Sequence, residues 1–277
     1  MIAWNHYEPG GHRIPCPNCA RRVGDNTLGL TVAADGKGIA HCFRCGFVES
    51  YSPEPAASFV KSAFPRVKGA SVAVTRKTLA PYARQMWTAS KPLAGVAAAY
   101  LEARCCCIPP RDSDLRWLPS LKHPSGYEGP ALLALVTDAV TSEPISLHRT
   151  WILADGNKAN IEKPRLLLGG GHRKQGGVIR LWPNDAVTTG LGIAEGIETA
   201  LSLAHGFSPV WSLIDAGNLA AFPYLLGIQT LTIGADNDRV GLGAADACAS
   251  RWVNCGAEVF VTQQAANDLN DVLKEAA

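Results

Sequence analysis

Two Cys-x-x-Cys pairs, Cys16-Pro-Asn-Cys19 and Cys42-Phe-Arg-Cys45, stand 22 residues apart near the start of the chain. One such knuckle brings two sulfurs to a point, and two knuckles complete the tetrahedral thiolate shell that structural zinc takes. Between them, Leu28–Val32 and Ile39–Ala40 flank Asp35-Gly36-Lys37-Gly38, the pattern of a hairpin. So short a segment cannot bury much core, and a metal would replace what is missing. Residues 1–50 therefore read as a zinc ribbon, with structural Zn²⁺ on Cys16, Cys19, Cys42 and Cys45. A redox role would need only one pair. His12 and His41 flank the knuckles and read as solvated, as do the charges of Arg21, Arg22, Lys37 and Arg44, which phosphate contact explains equally well.

The 277 residues leave room for two or three folded units. Met1–Gly11 carries His6, Glu8 and Pro9 and has no apolar centre, so it does not read as an export signal. No apolar run is long enough to cross a bilayer. Both features point to the cytoplasm and against a disulfide framework for the nine cysteines. Cys105–Cys107 read as helix-end core residues. Charge divides the chain. From Val187 onward three Lys/Arg face ten Asp/Glu, a net of −7, and the remainder carries 23 against 14, a net of +9. A basic front suits a polyanion and an acidic back suits divalent cations.

Residues 51–75, with the runs SPEPAAS and FPRVKGAS, read as a linker. Residues 76–187 read as a basic α+β segment. A helix is expected near Thr78 (Leu79, Tyr82, Met86) and another over Ala94–Arg104, ended by Pro109 and Pro110. Strands are expected over Ala131–Thr137 and Ile145–Trp151, with a turn at Asp155-Gly156. From Thr188 strands alternate with helices. Strands are expected at Gly190–Ala194, Pro209–Ile214, Leu231–Ala235 and Glu258–Thr262, with helices at Glu198–His205, Leu219–Leu226, Ala244–Asn254 and Asp268–Glu275. That alternation predicts an α/β domain over 188–277, a mainly parallel sheet flanked by helices.

In such sheets ligands gather at the carboxyl ends of the strands. Three acidic segments fall there: Glu195-Gly196-Ile197-Glu198, Asp236-Asn237-Asp238, and Asn267-Asp268-Leu269-Asn270-Asp271. Each acid taken singly is explained by helix capping or loop solvation. Three converging acidic clusters repel one another unless cations join them, and Mg²⁺ or Mn²⁺ with oxygen ligands and substrate phosphates is the natural partner. The chemistry expected is metal-assisted phosphoryl or nucleotidyl transfer.

The Glu195-Gly196, Asp236-x-Asp238 and Asn-Asp-Leu-Asn-Asp blocks resemble a Toprim domain, shared by bacterial-type primases, topoisomerases and some nucleases. GIAEGIETALSL is most similar to the Toprim domains of phage, plasmid and mobile-element primases, and HCFRCG resembles the zinc-binding domain at their front. The segments PALLALVTDA and LHRTWILADGNKA resemble what precedes Toprim in them. The resemblance implies metal binding or 3′-hydroxyl activation by Glu195 and metal ligation by Asp236 and Asp238. It implies looser roles for Glu198, which stands where related primases often have aspartate, and for Asp268, ahead of Asp271.

Between His148 and Arg180 the net charge is +5. Arg149, Lys158, Lys163, Arg165, Lys174 and Arg180 are the candidate nucleotide or nucleic-acid contacts, and Gly169, Gly170, Gly171, Gly176 and Gly177 would let backbone approach phosphate. Trp87, Trp117, Trp151 and Trp182 read mainly as core. No Walker A motif is present. The leading expectation is a DNA primase making RNA primers on single-stranded DNA from nucleoside triphosphates, with a replicative helicase in trans. A Toprim nuclease and a non-catalytic zinc-ribbon binding module are the competing readings.

Overall fold

The structure is a computed structural model and describes residues 2–20, 26–42, 44–45, 47–51, 53, 78–169, 171–262 and 264–276. Most of the expected 51–75 linker, with Arg21, Arg22 and Gly170, lies outside those residues. Contacts divide the chain into two units, Met1–Ala70 and Ser71–Ala277. Among the described residues no helix is long and apolar enough to cross a membrane.

In the first unit β1 (Gly10–Ile14), β2 (Leu28–Val32), β3 (Gly38–Cys42) and β4 (Val48–Tyr51) form an antiparallel sheet in sequence order. The β2–β3 hairpin is the expected one, turning through Gly36 at φ +79°. One face buries Leu28, Leu30, Val32, Ala40 and Cys42 together with Ile2, Trp4 and Cys16. Trp4 closes this small core. It stacks on Tyr51 with centroids 5.7 Å apart, and its Nε1 donates to Glu49 at 2.9 Å.

Among the described residues the second unit holds two helices, α1 (Pro81–Ala89) and α2 (Val96–Ala103), before a nine-stranded sheet. Its middle strands are β5 (Leu115–Lys122), β6 (Glu128–Asp138), β7 (Pro144–Trp151), β8 (Arg165–Leu167) and β9 (Gly177–Arg180), paired antiparallel. Its parallel part is β10 (Gly190–Ala194), β11 (Val210–Ser212), β12 (Thr230–Gly234) and β13 (Glu258–Val261). Helices α3 (Ile197–Leu203), α4 (Ala216–Ala221), α5 (Arg239–Asn254) and α6 (Leu269–Ala276) alternate with these strands. The sheet order is β13-β12-β10-β11-β9-β6-β7-β8, with β5 on β6. The β9–β11 pairing is antiparallel and joins the two parts. One apolar cluster therefore takes Tyr100, Leu101 and Leu132 from the middle and Ala194, Leu201 and Val210 from the parallel part.

No strand was expected at β1, β4, β8 or β9, and three further elements differ from the sequence reading. Strand β5 has Pro119 within it, which removes a donor and hides the strand pattern, and its register shifts between Leu118 and Leu121 to accommodate the break. Helix α4 begins earlier than expected because Asp215 caps it on Asn218 N, and it ends at Phe222, just before Pro223. Helix α5 begins at Arg239, not Ala244, because Asp238 caps it, and Gly241 and Gly243 mask its first turns.

Gly38 tests the packing of the first unit. A Cβ there would lie 2.2 Å from Trp4 Cζ3. Gly38→Ala is expected to destabilise this unit by about 1–3 kcal/mol. Hydrogen exchange should speed up in β2 and β3 and stay unchanged in β6 and β10.

Candidate functional site

The four cysteine sulfurs of the first unit lie within 4.8 Å of one another. Cys16 Sγ is 3.6 Å from Cys45 Sγ, and Cys19 Sγ is 3.6 Å from Cys42 Sγ. A tetrahedron with sulfur roughly 2.3 Å from its centre has edges of about 3.8 Å, so the four sulfurs already stand where one ion would need them. Burial and the neighbouring sulfurs push the Cys19 thiol up to about 12. Burial would raise Cys42 as well, yet the backbone N–H groups of Cys45 and Arg44 hold it down to about 6. His12 is occupied elsewhere, with Nε2 2.8 Å from Glu8 O.

The second unit gathers its acids by topology. Central β10 has β11 and β12 as parallel neighbours, so the chain leaves all three strands on one edge. Glu195 follows β10, Asp215 follows β11, and Asp236 follows β12. The loop after β13 is clasped to the same edge, because Asn237 N donates to Asn267 O at 2.6 Å. Glu195, Asp215, Asp236 and Asp268 thus line one cleft of about 460 Å³, with Glu198 in the wall.

The electrostatics of this cleft are unbalanced. Glu195 Oε1 and Asp236 Oδ1 are buried without a hydrogen-bond partner. Burial, then the charges of Asp236, Asp238 and Asp215, raise Glu195 to about 7. Burial, then Asp268 and Asp238, raise Asp236 to about 6. Buried carboxylate oxygens without donors fit a divalent cation with hard oxygen ligands. Asp238 is exposed and lies outside the cleft lining, and its Oδ1 caps α5 through Val240 N and Gly241 N, both at 2.8 Å. Asp268 Oδ1 accepts from Asp271 N at 2.9 Å, and Asp271 pairs with Lys274 at 3.8 Å.

A family model, described as a Toprim domain, matches residues 190–277. The C-terminal segment is a Toprim domain. Residues 77–181 match a domain of unknown function, DUF7146. No curated protein matches the chain. Among solved structures the chain is similar to the primase fragment of the bacteriophage T7 primase-helicase protein, at 15% identity and TM-score 0.43 over 96% of this chain and 95% of that one. It is similar to a DNA primase domain from Pseudomonas aeruginosa, at 13% and 0.45 over 70% and 74%. It is also similar to the zinc-binding and RNA polymerase domains of the Aquifex aeolicus primase, at 12% and 0.46 over 97% and 76%.

The basic candidates separate into those that face the Toprim acids and those that do not. Strand side chains alternate, and His148 with Arg165 fall on the cleft side while Arg149 falls opposite. Arg149 Nη2 instead donates to Leu167 O at 3.2 Å. Lys158 lines the cleft and pairs with Glu198 at 3.1 Å. Lys174 pairs with Asp215 at 2.7 Å. Lys163 is exposed, pairs with Glu162 at 3.5 Å and does not line the cleft. Arg180 is buried, stacks on Trp211 at 4.6 Å, and donates to Thr137 and to the carbonyls of Asp138 and Ala139. It holds β9 to β6 and does not reach the cleft. The glycine-rich loop is tied down by Asn218, which accepts from Gly176 N at 3.1 Å and donates to Lys174 O at 3.0 Å. Gly177 is small for packing, since a Cβ there would lie 2.6 Å from Val136 Cγ1.

Several site residues escaped the sequence reading. Asp215 could have been found, because it follows a parallel strand as Glu195 does. Tyr100 and Arg104 gave no such signal, and Asn270 stood within the third acidic segment without a role of its own. Asn270 is buried and donates to Arg104 O at 2.6 Å and Ser202 Oγ at 3.1 Å, anchoring α6.

The raised Glu195 makes a testable stability statement. Folded Glu195 binds its proton more tightly than the unfolded residue, so stability falls as pH rises from the ordinary glutamate range through about 7. In chelator above that range, Glu195→Gln is expected to gain about 1 kcal/mol, allowing for solvent screening of a partly buried group. The gain should vanish near about pH 4. Added Mg²⁺ should stabilise the wild type more than the variant in thermal melts.

Proposed function

We propose that this chain is a DNA primase, a nucleotidyltransferase that builds RNA primers on single-stranded DNA. The observation carrying this reading is the pair of donorless buried oxygens, Glu195 Oε1 and Asp236 Oδ1, at the carboxyl edge of the Toprim sheet. It gains support from the order of parts: a four-cysteine unit, a basic segment, then Toprim. On this reading the domains are a zinc ribbon over 1–50, a linker over 51–75, a basic core segment over 76–187 and the Toprim domain over 188–277. Cys16, Cys19, Cys42 and Cys45 would hold structural Zn²⁺.

Glu195, Asp236 and Asp238 would hold Mg²⁺ or Mn²⁺, which when bound supplies Lewis-acid stabilisation of the triphosphate and the attacking 3′-oxygen. The chain's own part is to position and to neutralise. Asn267 and Asn237 hold the third acidic loop against the Asp236 loop, so Asp268 stands beside the other acids. Arg165, exposed on the cleft wall, meets substrate phosphates as their charge grows in the transition state. Lys174 pairs with Asp215 of the cleft lining, which ties the glycine-rich loop to that acid. Such a reaction takes place in the cytoplasm on template strands already separated, which calls for a replicative helicase, in a partner chain or in a region outside this sequence.

The deciding assay is labelled-nucleotide incorporation on unprimed single-stranded DNA with Mg²⁺. Wild type should give short products, and Asp236→Ala/Asp238→Ala should lose at least about a hundredfold. Loss of template without incorporation would establish a nuclease instead, and an unchanged template a binding module. Wild type should carry one zinc per chain by atomic absorption, and Cys42→Ser should lose it.

A further inference from the structure

Glu198 lines the same cleft as Glu195, yet its carboxylate is already occupied. Its Oε1 accepts from the Tyr100 hydroxyl at 2.7 Å and from Lys158 Nζ at 3.1 Å. Glu195 and Asp236 keep buried oxygens with no donor. A carboxylate neutralised by a lysine and a phenol has little left for a cation, whereas oxygens without donors call for one.

Lys158 is fixed at both ends. Its backbone bridges to Ile152 across the Asp155-Gly156 turn, where Leu153 N donates to Asn157 O at 2.8 Å. Gly156 takes φ +83°, a conformation that favours glycine, and its carbonyl accepts from Arg104 Nη1 at 3.2 Å. At the other end Glu198 grips the ammonium. The lysine side chain stays 23% exposed and its carboxylate partner 11%, and both line the cleft. Ion pairs this buried add little net stability, because desolvation offsets their attraction, and an apolar pair would fill the space without that cost. What the pair supplies is a cation of fixed position and reduced hydration facing the acids.

Resting on the primase reading, we propose that Lys158 binds the phosphates of the incoming nucleoside triphosphate, and that Glu198, with Tyr100, is a positioning residue for that lysine and not a metal ligand.

The test is calorimetric titration of the full chain, first with Mg²⁺ alone and then with ATP in saturating Mg²⁺. Lys158→Ala should weaken ATP about tenfold, the worth of one charge-assisted contact, and Lys158→Arg should recover part of it. Glu198→Gln should weaken ATP about fivefold and leave Mg²⁺ affinity at the wild-type value, while Asp236→Ala loses Mg²⁺ binding. Glu198→Gln/Lys158→Ala should bind ATP no worse than Lys158→Ala, since both changes remove one contact. Tyr100→Phe keeps the ion pair, should weaken ATP about twofold, and decides the matter if Glu198→Gln does not fold. Loss of Mg²⁺ affinity in Glu198→Gln would make Glu198 a metal ligand and overturn the proposal. So would ATP binding that is unchanged in Glu198→Gln while wild type binds ATP normally. Wild type that binds Mg²⁺ but no ATP would overturn this proposal and the primase reading together.

Discussion

Two carboxylate oxygens without a donor, Glu195 Oε1 and Asp236 Oδ1, stand at the carboxyl edge of a parallel sheet, and the cleft of the second unit is arranged around them. These oxygens are shielded from water yet receive no donor, which costs the folded chain stability. The surroundings are built to bear it. Asp238 and Asp268 spend one oxygen each on capping, which keeps their loops rigid while Asp238 still acts on Glu195 and Asp236, and Asp268 on Asp236. The cations opposite these acids, Arg165 and Lys158, are set on the cleft wall by β8 and by the Asp155-Gly156 turn.

Two backbone features next to the acids show how closely the edge is packed. Gly241, in the first turn of α5, sits where a Cβ would lie 2.6 Å from Asp236 O, so only glycine lets the helix start against that loop. Ile214, a β-branched residue beside Asp215, is held at φ +76° and lines the cleft. Strain of that kind persists where surrounding contacts over-determine the backbone, and it concentrates at sites that must be rigid before a ligand arrives. The apolar cluster shared by α2, β6, α3 and β11 supplies that rigidity, since the cleft walls and the acids then stand on one core.

The first unit solves a different problem. Its apolar core is a few residues around Trp4, and the four sulfurs stand at spacings that suit one tetrahedral ion. A metal there would tie the loop after β1 to the β3–β4 turn, which the small core alone does weakly.

Much of this was legible in the chain. Two CxxC pairs name a metal-sized cluster because a knuckle is a local structure, and β10, β12 and β13 read correctly because buried parallel strands are short apolar runs. That Glu195, Asp236 and Asp268 line one cleft was legible from their place after those strands, a rule that follows from topology. What side chains do across long sequence separations could not be read. Glu198 reads in sequence as one more acid of the site, and only the fold shows that Tyr100 and Lys158, from distant segments, hold its carboxylate. Arg180 looks like a phosphate contact, but the β9–β6 pairing turns it inward against Trp211. Charge and local pattern are properties of the chain, and they mark which residues can do chemistry. Which partner each charge meets, or whether it meets one at all, is decided by packing alone, because burial removes water and leaves each polar group only the donors and acceptors that the fold brings beside it.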